Sequence, residues 1–308
     1  METKLRIAFI KDWHDTVEDI GGNKDGILAA FDELAKRHHI YFISRHTHSE
    51  LPYPDLASNF DAIVCWGSLD RPWHGQLPQN VPKLLCFAGG PTHHPFLKNF
   101  EHIFVESRVY EEAFKSQGIS CSRAFGANTQ VFRMEGRSSK IFDAIYPASF
   151  CFHKNQELFA RAMRGRGLCI GAWNEESIVG KCLEFGTPVI RRVSSNVLCD
   201  LFNLSRTTVI PCGPNGGSQR TVLESMVCGV PVVLARDNDK CGEFVLESGF
   251  GRLVDPIPES IREAVDDLIS SPLNPTIGIG YIKSKWTESH YANALEEGIK
   301  KCLNRPRT

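Results

Sequence analysis

The chain has no excess of either charge. Its 35 basic and 36 acidic side chains leave a formal net charge of −1, which excludes a general electrostatic pull onto nucleic acid or acidic lipid. Long apolar runs are missing too. The longest uncharged apolar stretch, VCGVPVVLA (227–235), is far too short to cross a bilayer. The opening METKLRIAFIKDW has no apolar leader region. Peripheral contact with a membrane stays open. There are 11 cysteines but no Cys-x-x-Cys pair, so neither a zinc knuckle nor a disulfide frame is expected. Cys65, Cys86, Cys169 and Cys228 lie in apolar runs and read as reduced, buried thiols of a cytoplasmic protein. Clusters of basic residues (Arg161, Arg164 and Arg166; Arg191 and Arg192; Lys300, Lys301, Arg305 and Arg307) read as solvated surface. No low-complexity tract or convincing internal repeat is present.

What is present is enough apolar sequence for a large core, spread over 308 residues. Short apolar runs alternate with amphipathic stretches: LRIAFI (5–10), GILAAFDELAKRH (26–38), IYFIS (40–44), DAIVCWG (61–67), KLLCFAGG (83–90), HIFVES (102–107), SRVYEEAFKSQG (107–118). GANTQVFRMEGRSS (126–139) is polar and aperiodic and reads as a linker. The alternation then restarts with DAIYPAS (143–149), a helix over 153–164, LCIGAW (168–173), a helix over 176–186, TPVIRRV (187–193) and TTVIPC (207–212). A helix over 259–271 and a final helical region from about 284 to 303 close the chain. Strands alternating with helices imply parallel βαβ units, hence an α/β fold in two halves. The expected division is 1–130, 131–285 and a helical tail over 286–308 that packs back on the first half.

GGSQRTVLESMVCGVPVVLARDND (216–239) carries the most chemistry. It comes after the strand TTVIPC, and open α/β sheets bind ligands outside the carboxyl ends of their strands. Gly216 and Gly217 allow close backbone approach. A helix beginning near Arg220 and Thr221 exposes its first amides, which suit a phosphate. Glu224 falls about one turn later, where a carboxylate can accept two hydroxyl hydrogen bonds, as a ribose offers. A plain strand connection with a solvent-facing glutamate is the competing reading. Asp237 and Asp239 have Asp-x-Asp spacing, but their position after the strand reads as a turn rather than a metal site.

This segment resembles the donor site of family-4 retaining glycosyltransferases of the GT-B fold. Glu224 matches the second glutamate of that family's paired motif, and CGVPVV (228–233) matches the family's glycine and apolar strand after it. GANTQVFR (126–133), SSNVLCDLFNLSRTTVIPC (194–212), CGEFVLESGFGRLVDP (241–256) and DIGGNKDGILAAFDELAKRHHIYFIS (19–44) resemble further family segments, in the same order. The resemblance implies two Rossmann-like domains facing across a cleft. The implied activity is transfer from a nucleoside-diphosphate sugar to a hydroxyl acceptor with retained anomeric configuration and no required metal. It implies that Glu224 binds the donor ribose and that the amides near Thr221 and Val222 meet the pyrophosphate. Lys154 would neutralise that pyrophosphate, and Gly21 and Gly22 would let the donor approach. Glu243 matches an acid of the family, and His93 or His94 would lie near the reacting sugar.

Three departures stand out. Gly216 occupies the place of the first glutamate, and a glutamate restored there is expected to change sugar choice if the position faces the sugar. Ala148 and Ser149 replace a Gly-Arg pair, removing one phosphate-binding cation, for which Arg220 is a substitute. The first half is short for the family, so the acceptor does not carry over. A GT-B-like binding or partner protein with impaired catalysis is one alternative. A transferase acting on DNA bases, as in phage modification, is another, which the near-neutral charge does not favour.

Overall fold

A computed structural model describes residues 3–11, 25–44, 59–136, 139–217 and 220–304. The chain forms two compact units, Met1–Gly126 with Glu288–Thr308, and Ala127–Thr287.

Unit 1 is built on β1 (Arg6–Lys11), α1 (Gly26–Ala35), β2 (His39–Ser44), β3 (Ala62–Gly67), β4 (Lys83–Phe87), β5 (His102–Val105), α2 (Arg108–Lys115) and β6 (Cys121–Arg123). The six strands form one parallel sheet in the order β2-β1-β3-β4-β5-β6. A parallel sheet covered on both faces needs apolar side chains on both, which is why these strands read as continuous apolar runs. Successive residues alternate faces. Ala8, Ile10, Ile63, Cys65, Leu85 and Phe87 enter one core cluster. Ile7, Phe9, Ala62, Val64, Leu84 and Cys86 enter the other, against α1. Side chains cap both helices: Asp25 accepts from the Leu28 amide, and Ser107 from that of Tyr110.

Unit 2 contains β7 (Phe142–Pro147), α3 (Gln156–Met163), β8 (Gly167–Gly171), α4 (Glu176–Glu184), β9 (Val189–Arg191), α5 (Ser195–Asn203), β10 (Ser205–Ile210), α6 (Arg220–Val227), β11 (Val232–Ala235), α7 (Gly242–Ser248), β12 (Gly251–Val254), α8 (Pro258–Ser270) and α9 (Pro275–Lys285). Its strands are again all parallel, ordered β12-β11-β10-β7-β8-β9. Counted from the first strand of the unit, this is the doubly wound order 3-2-1-4-5-6, read from the other edge.

The last helix, α10 (Glu288–Leu303), belongs to unit 1. Tyr291, Ala292, Leu295, Ile299 and Cys302 recur at three- and four-residue spacing and join the α1 side of the core. A Cβ on Gly298 would sit 2.4 Å from the Phe104 ring, so a glycine is what lets this helix approach β5.

Several elements differ from the sequence expectation. A helix begins at Pro275, well before position 284. The helix expected over 153–164 is a short 3₁₀ turn at Phe152–Lys154 followed by α3, because Asn155 adopts left-handed φ 58 and breaks the run. The strand placed at 207–212 lies at Ser205–Ile210, which leaves Pro211 and Cys212 in the loop. Among the described residues no helix is long and apolar enough to cross a membrane.

Candidate functional site

In unit 2 the strand order reverses between β7 and β10, which are neighbours in the sheet. In a doubly wound sheet the connections at such a reversal leave toward opposite faces, and ligands bind outside the carboxyl ends of these strands. The segment leaving β7 runs from Ala148 to Lys154, and the segment leaving β10 from Pro211 to Gly217. The Lys154 amine crosses between them and donates to the Gly216 carbonyl.

Each segment is fixed from behind. The buried Tyr146 hydroxyl donates to the Lys154 carbonyl at 2.6 Å. Gln156, fully buried at the start of α3, donates from Nε2 to the Ser149 carbonyl at 2.6 Å. These bonds hold the turn that presents Lys154. His153 is pushed below its ordinary pKa by burial and by the Lys154 charge beside it, so it is neutral at pH 7.

The β10 loop is a 3₁₀ turn, Pro214–Gly216, closed by Gly217 at φ 69. The turn 237–241 supports it. Asn238 is completely buried and donates from Nδ2 to the Cys212 carbonyl at 3.0 Å, while its Oδ1 accepts from the Cys241 amide at 3.2 Å. The Lys240 amine donates to the Pro214 carbonyl at 2.7 Å. A Cβ on Gly216 would lie 2.4 Å from the Cys212 sulfur and 2.7 Å from its Cβ. Position 216 is therefore a glycine for lack of space, and a glutamate there would meet Cys212 rather than an open site.

Helix α6 starts at Arg220 and carries Thr221, Val222 and Glu224. The Thr221 hydroxyl is buried and has no hydrogen-bond partner among the described residues. Val222 is packed in the core, and Glu224 is 5% exposed. Ser225 ties the helix to β10 through its hydroxyl, which donates to Thr208 Oγ1 at 2.7 Å. The helix closes with the paired bonds of a Schellman motif, Gly229 N to Met226 O and Val230 N to Ser225 O, both 3.0 Å, with Gly229 at φ 71. Glu243 lies half-buried in the first turn of α7, next to the supporting turn.

Trp173, which the sequence reading did not single out, and Arg191, which it read as solvated surface, lie at neighbouring carboxyl ends. Trp173 comes just after β8 and Arg191 ends β9, and the guanidinium lies 4.6 Å from the indole centroid. Trp173 remains 36% exposed, which leaves a flat aromatic and cationic face. Only the strand-end position of each residue was visible in the sequence, not their pairing.

The remaining predicted residues belong to unit 1. His93 is exposed in the loop after β4, and His94 is half-buried, its Nδ1 accepting from the Phe96 amide at 3.3 Å. This loop passes through Gly89 and Gly90, at φ 108 and 106. Asp70 nearby is held below the usual carboxylate range, first by the Ser68 hydroxyl and also by Arg71 and His94. Gly21 and Gly22 lie outside the described residues. Among the described residues, no group of three His, Cys, Asp or Glu side chains is placed to hold a metal ion.

No family model and no curated protein sequence matches the chain. Solved structures do match its fold over nearly the whole length. A glycosyltransferase from Rickettsia africae has a TM-score of 0.74 at 13% identity, covering 99% of this chain and 100% of that one. AviGT4, a glycosyltransferase involved in avilamycin A biosynthesis, has a TM-score of 0.71 at 14% identity, covering 98% and 99%. Anabaena HepE in complex with UDP has a TM-score of 0.68 at 12% identity, covering 96% and 100%. The chain thus has the GT-B fold, in the form of two Rossmann-like α/β units.

Proposed function

We propose that this protein is a glycosyltransferase that moves a sugar from a nucleoside-diphosphate donor to a hydroxyl acceptor, with retention at the anomeric carbon. The observation that carries this reading is the unit 2 switch point. There one lysine spans the two exit loops, beside a helix start that bears an unpartnered threonine hydroxyl and, one turn on, a glutamate. Amides, a hydroxyl and a cation converging at a helix N-terminus suit a diphosphate. The carboxylate suits the diol of a ribose. Trp173 and Arg191 offer a face on which a base can stack.

In this reaction the bond between the anomeric carbon and the donor phosphate oxygen breaks, and the electron pair leaves with the diphosphate. The acceptor oxygen bonds to the oxocarbenium-like carbon, and its proton passes to the departing phosphate or a nearby base. Lys154, the amides of Thr221 and Val222, and Arg220 stabilise charge that grows on the leaving group. Glu224 holds the ribose. Gly216 and Gly217 bring backbone close to the phosphates, and Glu243 borders the same loop. His93 and His94 are assigned to the acceptor side.

HepE binds UDP, so UDP-sugars are the first donors to test here. A thermal-shift screen of UDP-, GDP- and ADP-sugars should raise the melting temperature with at least one donor, and release of the matching diphosphate should occur once an acceptor is added. Glu224→Ala should cut donor affinity or turnover by about 10- to 100-fold, the scale of charge-assisted hydrogen bonds, with the fold intact. Wild-type kinetics in that variant would refute the ribose assignment. The anomeric configuration of the product, read by NMR, decides between retention and inversion.

A second reading is a donor-binding protein without turnover. It is favoured by Ser149, which stands where the family resembled in sequence carries a cation, and by Gly216, which has no room for a carboxylate. Nucleotide binding without product under any acceptor would select it.

A further inference from the structure

Unit 2 has a concave site at the opposite end of its sheet from the loops described above. Lys140 precedes β7, Arg206 is the second residue of β10, and Pro231 leads into β11. All three border a pocket of ≈ 140 Å³ at the amino ends of these strands. β7 and β10 have six residues each, which puts the pocket roughly 20 Å from the loops at their carboxyl ends. Its walls are apolar, with Leu268 and Ile269 from α8 and Leu273 from the link to α9. Both charged residues that line it, Lys140 and Arg206, are basic.

Neither cation is fully balanced. Asp143 lies 3.5 Å from Arg206 but is held more closely by Arg166, at 2.7 Å. Lys140 is half-buried and gives one of its three protons to the Asn203 carbonyl at 2.8 Å, at the end of α5. No carboxylate among the described residues pairs with it. Burial first, and the Arg206 charge after it, pull its pKa below the ordinary lysine value. The Asn203 carbonyl accounts for one proton of Lys140 and not for the guanidinium that lines the same pocket. Two like charges beside an apolar hollow raise each other's energy, and an anion seated with them lowers it.

The charge count sets the valence of that anion. Arg166 also pairs with Asp266. Three bases, Lys140, Arg166 and Arg206, thus stand against two acids, Asp143 and Asp266, and one negative charge completes the balance. The volume sets its size, since a cavity of about 150 Å³ holds one benzene. We infer that this pocket binds a small monocarboxylate with an apolar body, one aromatic ring or a short branched chain. The site is independent of the nucleotide-sugar reading, although α6 joins the two regions. Thr221 lies in the first turn of that helix, and Gly229, just past its end, lines the pocket.

The test is NMR titration of the full chain and of K140M, K140R and R206M with benzoate, isovalerate, benzamide, acetate and inorganic phosphate. Melting temperatures check that each variant is folded. R206M alters an exposed side chain and carries the test if K140M loses its cap on α5 and unfolds. Wild type should bind benzoate or isovalerate saturably, with Kd below about 1 mM. K140M and R206M should each weaken that binding by roughly 10-fold or more, the scale of a hydrogen bond to a charged group, while K140R keeps the charge and most of the affinity. Benzamide, which is neutral, should change by less than about twofold in K140M. Acetate should bind at least about 10-fold more weakly than benzoate, because it has no body to bury. Absence of saturable carboxylate binding would overturn the inference, as would equal benzoate binding by wild type and both methionine variants. So would phosphate binding as tight as benzoate, which would mean that the walls contribute nothing. A loss for benzamide as large as that for benzoate would show Lys140 only shaping the pocket, and would equally overturn it.

Discussion

The two sheets have the same number of parallel strands but reverse at different places. In unit 1 the reversal lies between β1 and β3, and in unit 2 between β7 and β10, at the centre of the sheet. Each reversal has a lysine at its carboxyl edge, and the two lysines differ in what they hold. Lys11, the last residue of β1, lies 3.9 Å from the Asp25 carboxylate and 5.5 Å from the centroid of Trp66. Its charge is balanced by an acid and covered by an aromatic ring. At the other, Lys154 donates to the Gly216 carbonyl, while Lys240 donates to the Pro214 carbonyl and pairs with Asp239 at 3.0 Å. The same parallel topology thus carries two different lysine environments at its two reversals.

Removing each lysine in turn gives the sharpest test of that contrast. Lys154→Ala should lower kcat by about 100-fold or more, the scale seen when one donor to a developing oxyanion is deleted. Lys11→Ala should change kcat/KM by less than about fivefold, since a partly exposed pair contributes on the order of 1 kcal/mol or less. Steady-state kinetics on both variants, with melting temperatures as a control for folding, would decide. A loss in Lys11→Ala as large as that in Lys154→Ala would abolish the distinction between the reversals.

The second test concerns space. Gly216 has Cys212 against it, whereas a Cβ on Gly90, in the loop after β4, would meet only the Ser68 Cβ at 3.6 Å. Gly216→Ala should destabilise the protein by about 1–3 kcal/mol, as overpacking does, and Cys212→Gly in the same chain should relieve part of the cost. Gly90→Ala meets no steric clash but sits at φ 106, so its cost of about 1 kcal/mol is conformational, and no neighbouring truncation should relieve it. Urea midpoints of the two single variants and of the double variant measure this. Lack of rescue at 216 would mean that the loop, not the sulfur, sets the cost.

Much of this arrangement was legible in the sequence, and what was missed has physical causes. Apolar runs such as RIAFI and AIVC locate strands because a sheet buried on both faces tolerates few polar residues. The strand Cys121–Arg123 escaped notice because it is three residues long, polar, and paired on one side only. The helix Pro275–Lys285 has Gly278 and Gly280 and no clear apolar stripe. Its signal was the Asn274–Pro275 start, where the Asn274 side chain accepts from the Thr276 amide. Gly278 itself is required, since a Cβ there would be 2.3 Å from the Phe250 ring. At the site, Glu224 and Lys154 were visible through resemblance and local chemistry. Lys240 was not, because its partner Pro214 is 26 positions away in another loop. Pairings of that kind depend on which strands the sheet makes adjacent, and no local pattern encodes them.

The smallest expected effect lies in unit 1, where charges tie α10 to the end of α1. Glu296, with its side chain 11% exposed, accepts from His38 Nε2 at 3.1 Å and from Lys300 at 2.9 Å, and pairs with Arg37. His38 Nδ1 accepts from the Leu5 amide at 3.3 Å, so Nε2 carries the proton donated to Glu296. Burial alone would raise the Glu296 pKa, but Lys300, His38 and Arg37 outweigh it, and the net displacement is downward. A carboxyl with a lowered folded-state pKa adds stability that is fully present above its unfolded value of about 4.3 and is lost as pH falls through the folded value. Glu296→Gln should therefore lower stability by about 1 kcal/mol at pH 7, with the difference shrinking below about pH 4. Paired urea titrations at pH 7 and pH 3.5 would show it. A gap of equal size at both values would mean that Glu296 acts by packing rather than by charge. In unit 2 the corresponding loss, at Lys154, should appear in ligand affinity and leave the acid limb of stability unchanged.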